Sequence, residues 1–206
     1  MTSQTLREAR KYEETYDKRI GLEDRPGFHL STRVGWLNDP NGFSFYEGKY
    51  HLFYQYHPYD PYWGPMHWGH AVSEDLLHWE YLPAALAPDM SYDRDGCFSG
   101  SAVSLPDGRQ LLMYTGVKRI PLEEGGFRDE QTQCLAVGDG LDYEKYEKKP
   151  GLDMKNIPEG CSKADFRDPK MWVNEDGTYS CVVANRAADG SGQLLLYTSQ
   201  DGFEWK

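Results

Sequence analysis

The protein has 206 residues, 39% of them hydrophobic and 14% aromatic, enough to bury a core and to exclude wholesale disorder. Its 33 acidic residues outnumber 22 basic ones. The net charge of −11 has the wrong sign for binding a nucleic-acid backbone or an anionic membrane surface. With 21 glycines and 12 prolines, the chain reads as turn-rich and mostly β rather than as a helical bundle.

The chain opens on MTSQTLREARKYEETYDKRI, which holds no apolar run. It is therefore not a secretory signal, and no later run is long enough to span a membrane. Thr5 and Glu8 stand in capping-box spacing, and Leu6, Ala9 and Tyr12 form one apolar stripe, so a short starting helix is expected. Residues 1–33 read as this helix and a lead-in segment. Cys97, Cys134, Cys161 and Cys181 make no CxxC, and no Asn-x-Ser/Thr sequon occurs. Free thiols in a reducing cytosol are the expectation.

No metal or cofactor is expected. His67 and His70 are three apart, but no HExxH or Cys/His framework surrounds them. SYDRDG (91–96) begins like a calcium loop, yet the closing Glu position is Ala102. Neither a P-loop nor a GxSxG nucleophile elbow is present.

From residue 34 the pattern is short strands split by turns. FSFY (43–46), Glu47-Gly48 and KYHLFYQY (49–56) make one unit. SAVSL (101–105), Pro106-Asp107-Gly108 and RQLLMYT (109–115) make a second, and KMWV (170–173), Glu175-Asp176-Gly177 and TYSCVVA (178–184) a third. Each closes with an Asp four residues before an aromatic: Asp75 and Trp79, Asp142 and Tyr146, Asp201 and Trp205. In this reading the Asp caps a turn and the aromatic packs on the next unit. A four-stranded unit recurring at this spacing predicts propeller blades over residues 34–206. Three blades do not close a ring, so 206 residues read as about three-fifths of such a domain, with an exposed final edge.

Counting nine residues back from each turn glycine reaches Asp39, Ser99 and Asp168. All three are expected to begin the innermost strand of a blade and to face one axial funnel. Asp39 and Asp168 each precede Pro, which cannot donate to a ladder, so both are expected at strand starts.

GWLNDPNGFSFYEGKYHLFYQYHP (35–58) resembles the opening of glycoside hydrolase family 32, the β-fructofuranosidase family of invertases, sucrose-6-phosphate hydrolases, inulinases and levanases. WGPMHWGHAVSEDLLHWEYLPAALAPD (63–89), FSGSAV (98–103) and FRDPK (166–170) follow in the family's order. The resemblance implies an all-β, five-bladed propeller that hydrolyses β-fructosidic bonds with retention. It implies that Asp39 is the nucleophile and that Asp168, with Arg167 beside it, is the transition-state stabiliser. Trp36, Asn38, Gln55, Trp63, Phe98 and Ser99 match positions that line the fructose pocket. The expected ligand is a small fructose-containing substrate: sucrose, sucrose 6-phosphate or a fructo-oligosaccharide.

Retention needs a nucleophile and an acid/base about 5–5.5 Å apart. Asp39 attacks only as a carboxylate. Asp168 accepts bonds from sugar hydroxyls that strengthen as positive charge develops, and Arg167 orients Asp168 or a hydroxyl. Trp36, Trp63 and Trp68 offer flat apolar faces, with Trp68 expected in the core. The family's acid/base Glu sits in a Glu-Cys pair after the RDP motif, and no Glu-Cys occurs here. Glu74 and Glu80 are expected at a rim, and Glu123, Glu124 and Glu130 in a solvated loop, EEGGFRDEQTQ (123–133). The 206 residues are therefore expected to be a poor catalyst alone. A carbohydrate-binding propeller without catalysis and a fructosyltransferase are the alternatives.

Overall fold

Period-two alternation of apolar side chains builds three antiparallel sheets in a computed structural model that describes residues 2–146 and 150–206. The first sheet is the meander β1 (Trp36–Tyr46), β2 (Lys49–His57), β3 (His67–Ser73) and β4 (Glu80–Leu86). The second is β5 (Gly96–Ser104), β6 (Gln110–Pro121), β7 (Phe127–Gly138) and β8 (Tyr143–Lys145). The third joins β9 (Cys161–Val173), β10 (Tyr179–Ala187) and β11 (Gly192–Ser199). Beyond β11, Lys206 exchanges two backbone hydrogen bonds with Thr198. The Glu47-Gly48 hairpin has positive φ at both residues, as a two-residue turn matched to strand twist requires.

The middle sheet is buried on both faces. On β6, Leu111 and Met113 pack toward the third sheet with Phe166, Met171 and Val183. The alternate residues Leu112 and Tyr114 pack toward the first sheet with Phe53, Trp68 and Leu86. Each such side chain contributes roughly 1.5–3 kcal/mol on burial. Trp68 is fully buried, as expected of a core residue. The flanking sheets bury only one face each near the turns: Phe43 and Phe45 of β1 are exposed, as are Leu194 and Leu196 of β11.

A helix, α1 (Gln4–Tyr16), lies against β4. Its N-cap is Ser3 rather than Thr5, because Ser3 is extended and its hydroxyl accepts the Leu6 amide. The buried stripe is Leu6, Ala9 and Glu13. Glu13 accepts from the Ala84 amide at 2.8 Å, while Arg10 donates to the Ala84 carbonyl at 2.9 Å. Two charged side chains thus occupy the edge of β4, which would otherwise be open to pairing. No helix among the described residues is long and apolar enough to cross a membrane.

Three expectations need correction. The second turn landmark is Asp139 with Tyr143, not Asp142 with Tyr146. Asp139 caps the amides of Leu141 and Asp142 as Asp75 caps Leu77 and His78 and Asp201 caps Phe203 and Glu204. Asp142 instead pairs with Arg10 at 2.6 Å, and Tyr146 packs against Phe203 with the rings tilted by 45°. The end of that motif, residues 147–149, lies outside the described residues. Second, most of EEGGFRDEQTQ is strand: β6 and β7 pair without a break from Gln110↔Gly138 to Pro121↔Phe127, and Glu130 in β7 faces Lys118 at 3.9 Å. Third, Asp39-Pro40 and Asp168-Pro169 lie inside β1 and β9, not at their starts. The missing Pro amide is absorbed at a bulge in each strand.

Candidate active site

One extra residue enters the innermost strand of each sheet at the same height. On β1, Leu37 and Pro40 face Tyr56 and Tyr54, so Asn38-Asp39 bulge. On β5, Cys97 and Gly100 face Gly116 and Tyr114, so Phe98-Ser99 bulge. On β9, Arg167 and Lys170 face Ala184 and Val182, so Asp168-Pro169 bulge. A bulge re-aims side chains out of the ladder, and three in register re-aim them at one place. The glycine count and the bulge register agree for Asp39 and Ser99. For Asp168 they differ by one, since its register equivalents are Asn38 and Phe98.

These bulges bring the expected residues together. Ser99 Oγ donates to Asp39 Oδ2 at 2.9 Å. Partial burial raises the Asp168 pKa from its ordinary value. Arg167 opposes the shift, and the nearby negative charge of Asp39 adds to it. Arg167 stands between Asp168 (Nε to Oδ2, 3.8 Å) and Asp165 (3.3 Å). Trp36 Nε1 donates to Asn38 Oδ1 at 2.8 Å, fixing that amide beside Asp39. Trp63 is half exposed and meets Phe98 edge to face, with centroids 6.1 Å apart. Gln55 is only 2% exposed and donates to the Cys97 carbonyl at the foot of the β5 bulge.

Several neighbours were not singled out by the sequence. Asn41 Oδ1 accepts the Gly100 amide at 3.2 Å, tying β1 to β5. Ser101 and Thr115 hold the β9 bulge. Arg119 lies over the Trp63 ring at 5.9 Å and faces Asp129 at 3.6 Å. Only the Asn41 and Ser101 contacts had a sequence signal: each lies two residues after a residue reached by the glycine count.

Two solvent-accessible carboxylates, flanked by aromatic faces and hydrogen-bonding side chains, suit a sugar ring that becomes cationic. The profile of the glycosyl hydrolases family 32 N-terminal domain matches residues 29–206. The chain belongs to glycosyl hydrolases family 32. Among its family 32 relatives, the sucrose-6-phosphate hydrolase of Escherichia coli is 43% identical over 208 residues, covering 100% of this chain and 41% of that protein. The raffinose invertase of Escherichia coli is 48% identical over 183 residues, covering 87% of this chain and 36% of that one. The Bombyx mori family 32 β-fructofuranosidase BmSUC1 superposes with a TM-score of 0.86 at 42% identity, covering 100% of this chain and 42% of that one. A variant of that enzyme has been solved in complex with sucrose. The chain thus spans well under half the length of these relatives.

Proposed function

We propose that this chain carries the fructosyl-binding half of a β-fructofuranosidase that cleaves a terminal β-fructosyl bond with retention. The observation carrying this reading is the convergence of Asp39, Ser99 and Asp168 from three separate bulges. Ser99 holds one oxygen of Asp39, leaving the other to attack the anomeric carbon; the bond from that carbon to the glycosidic oxygen breaks as the fructosyl ester forms, the departing oxygen takes up a proton, and water then hydrolyses the ester. Asp168 and Asp39 repel each other in the empty site. Positive charge on the ring oxygen and anomeric carbon relieves that repulsion, so the pair favours the transition state. Trp36 and Trp63 supply apolar faces to the sugar, and Arg167 orients Asp168.

The substrates are sucrose, sucrose 6-phosphate or short fructo-oligosaccharides, in keeping with the names of the relatives. Free cysteines at 97, 134, 161 and 181 favour a reducing cytoplasm. The domain reading is residues 1–33 as lead-in and 34–206 as three blades of a five-bladed propeller. Exposed Phe43 and Phe45 on one flank, and Leu194 and Leu196 on the other, support it as faces that further blades would cover.

β-Fructosyl fluoride tests the nucleophile independently of a general acid, because fluoride leaves unprotonated. The 206-residue chain should release one burst of fluoride, gain the mass of one fructosyl group, and leave sucrose uncleaved. Asp39→Asn should abolish the burst and the adduct. A burst retained by Asp39→Asn overturns the nucleophile. A second reading is a non-catalytic fructose binder. That reading predicts binding with no burst at all.

A further inference from the structure

Asp168 has a φ of 61°, a left-handed conformation that is strained for a non-glycine residue. Such backbone persists only where its surroundings fix it. Here the surroundings are two buried hydroxyls of the neighbouring sheet. Thr115 Oγ1 on β6 accepts the Asp168 amide at 3.0 Å. Its own proton goes to Gln133 Oε1 at 2.9 Å, and Gln133 Nε2 donates to the Phe166 carbonyl at 2.8 Å. One and three residues further along β9, Ser101 Oγ donates to the Pro169 carbonyl and accepts the Met171 amide, both at 2.8 Å. Thr115 and Gln133 are fully buried, and Ser101 nearly so. The Asp168-Pro169 bulge is therefore gripped on both sides by groups that touch no solvent. Neither β9 nor its partner β10 supplies an equivalent hold, because the ladder between Arg167 and Lys170 is interrupted at the bulge.

We propose that Thr115, oriented by Gln133, and Ser101 are positioning residues that hold the Asp168 carboxylate against Asp39. This rests on the reading of Asp168 as the transition-state stabiliser. It makes the geometry of the third sheet's carboxylate a property of the second sheet. Thr115→Val keeps the shape and removes the acceptor, leaving the Asp168 amide unpaired and its bulge free to relax. A displacement near 1 Å costs on the order of a hundredfold in rate.

The test is the rate of the fluoride burst with β-fructosyl fluoride. Thr115→Val should slow it by about tenfold to a hundredfold with fructose affinity changed less than about threefold. Thr115→Ser, which keeps the hydroxyl, should restore it. The pH profile supplies a readout that a merely structural role would not move. The charged groups facing Asp168 are Asp39 from β1 and Arg167 from β9 itself. Released toward solvent and away from Asp39, Asp168 titrates lower, so the acid limb should move to lower pH in Thr115→Val. A folded Thr115→Val with wild-type rate and acid limb overturns the proposal. Should Thr115→Val fail to fold, Ser101→Ala is read in the same way. Asp168→Ala separates the two layers. If it leaves the burst intact, the reading of Asp168 and with it this proposal falls. If it slows the burst while Thr115→Val and Ser101→Ala do not, only the positioning role falls.

Discussion

Replacing Gly100 by alanine places a Cβ 2.0 Å from the Met113 carbonyl oxygen and 2.7 Å from the Tyr114 Cα. Both are backbone atoms of β6, so no side chain can turn aside. Real Cβ atoms essentially never come within 3.0 Å of a neighbour, so β5 and β6 must part by at least 1 Å at the bulge. Overpacking of this kind costs about 1–3 kcal/mol. In a chain of this size that is a fall in Tm of roughly 2–12 °C. The same movement carries Ser99 away from Asp39, whose hydrogen bond is 2.9 Å long and cannot stretch by 1 Å and survive. Thermal unfolding and the fluoride burst together check both links: Tm should fall, and the burst should slow by about a hundredfold. Gly108→Ala is the control. Its Cβ meets nothing, so only its positive φ is strained, at a cost of about 1 kcal/mol, and the burst should be unaffected. A Gly100→Ala protein with unchanged Tm and burst rate would show that the tightness at the β5 bulge is not what places Ser99.

Two further outcomes follow from buried charge. Lys145 bonds Asp89 at 2.6 Å and Asp93 at 2.5 Å, with Asp93 fully buried. Lys145→Met leaves both carboxylates uncompensated and should destabilise the fold by about 3–5 kcal/mol by denaturant titration, and a loss below about 1 kcal/mol would refute that. His67 is desolvated, and its pKa is lowered from 6.5 to about 4. The unfolded chain takes up this proton first as pH falls, so the stability contributed by neutral His67 is present above pH 6.5 and lost toward pH 4. His67→Gln should reduce the slope of stability against pH in that window by up to about 1.4 kcal/mol per unit, and an unchanged slope would sink the assignment.

The strand-turn-strand units and the clustering of Asp39, Ser99 and Asp168 were legible because turn glycines and polar strand residues are local features. What failed was resolution at one residue. In the second unit both Asp139 and Asp142 precede an aromatic by four, and only the capping bonds choose Asp139. DGLDY (139–143) beside DGFEW (201–205) was the signal that would have decided it. Buried charge was not legible. Lys145 sits in a run of charged residues, and Glu13 among the polar residues of an amphipathic helix. Their burial depends on Asp93 and Ala84, more than 50 residues away, which no local pattern reports. The extent of β6 and β7 was hidden for a related reason: polar residues occupy the outer half of a hairpin, where cross-strand pairs such as Lys118–Glu130 and Arg119–Asp129 replace an apolar alternation.

The three bulges explain why a repeat carries an asymmetric site. Repetition supplies three equivalent distortions of the innermost strand, and each frees a short stretch from the ladder. What differs is the residue placed there: Asp39 in the first, Ser99 in the second, Asp168 in the third. Side chains two residues past the first two bulges, Asn41 and Ser101, then bind the next sheet's backbone rather than their own. The second and third bulges are thus each fixed by the sheet before them. A substitution at Asn41 should therefore disturb Ser99 more than Asp39. Asn41→Ala leaves the Gly100 amide without its acceptor and frees the β5 bulge. The expected readout is a slower burst with the Asp168-dependent acid limb unmoved, which separates this clasp from the one at Thr115. A shifted acid limb in Asn41→Ala would mean that the two clasps are not independent.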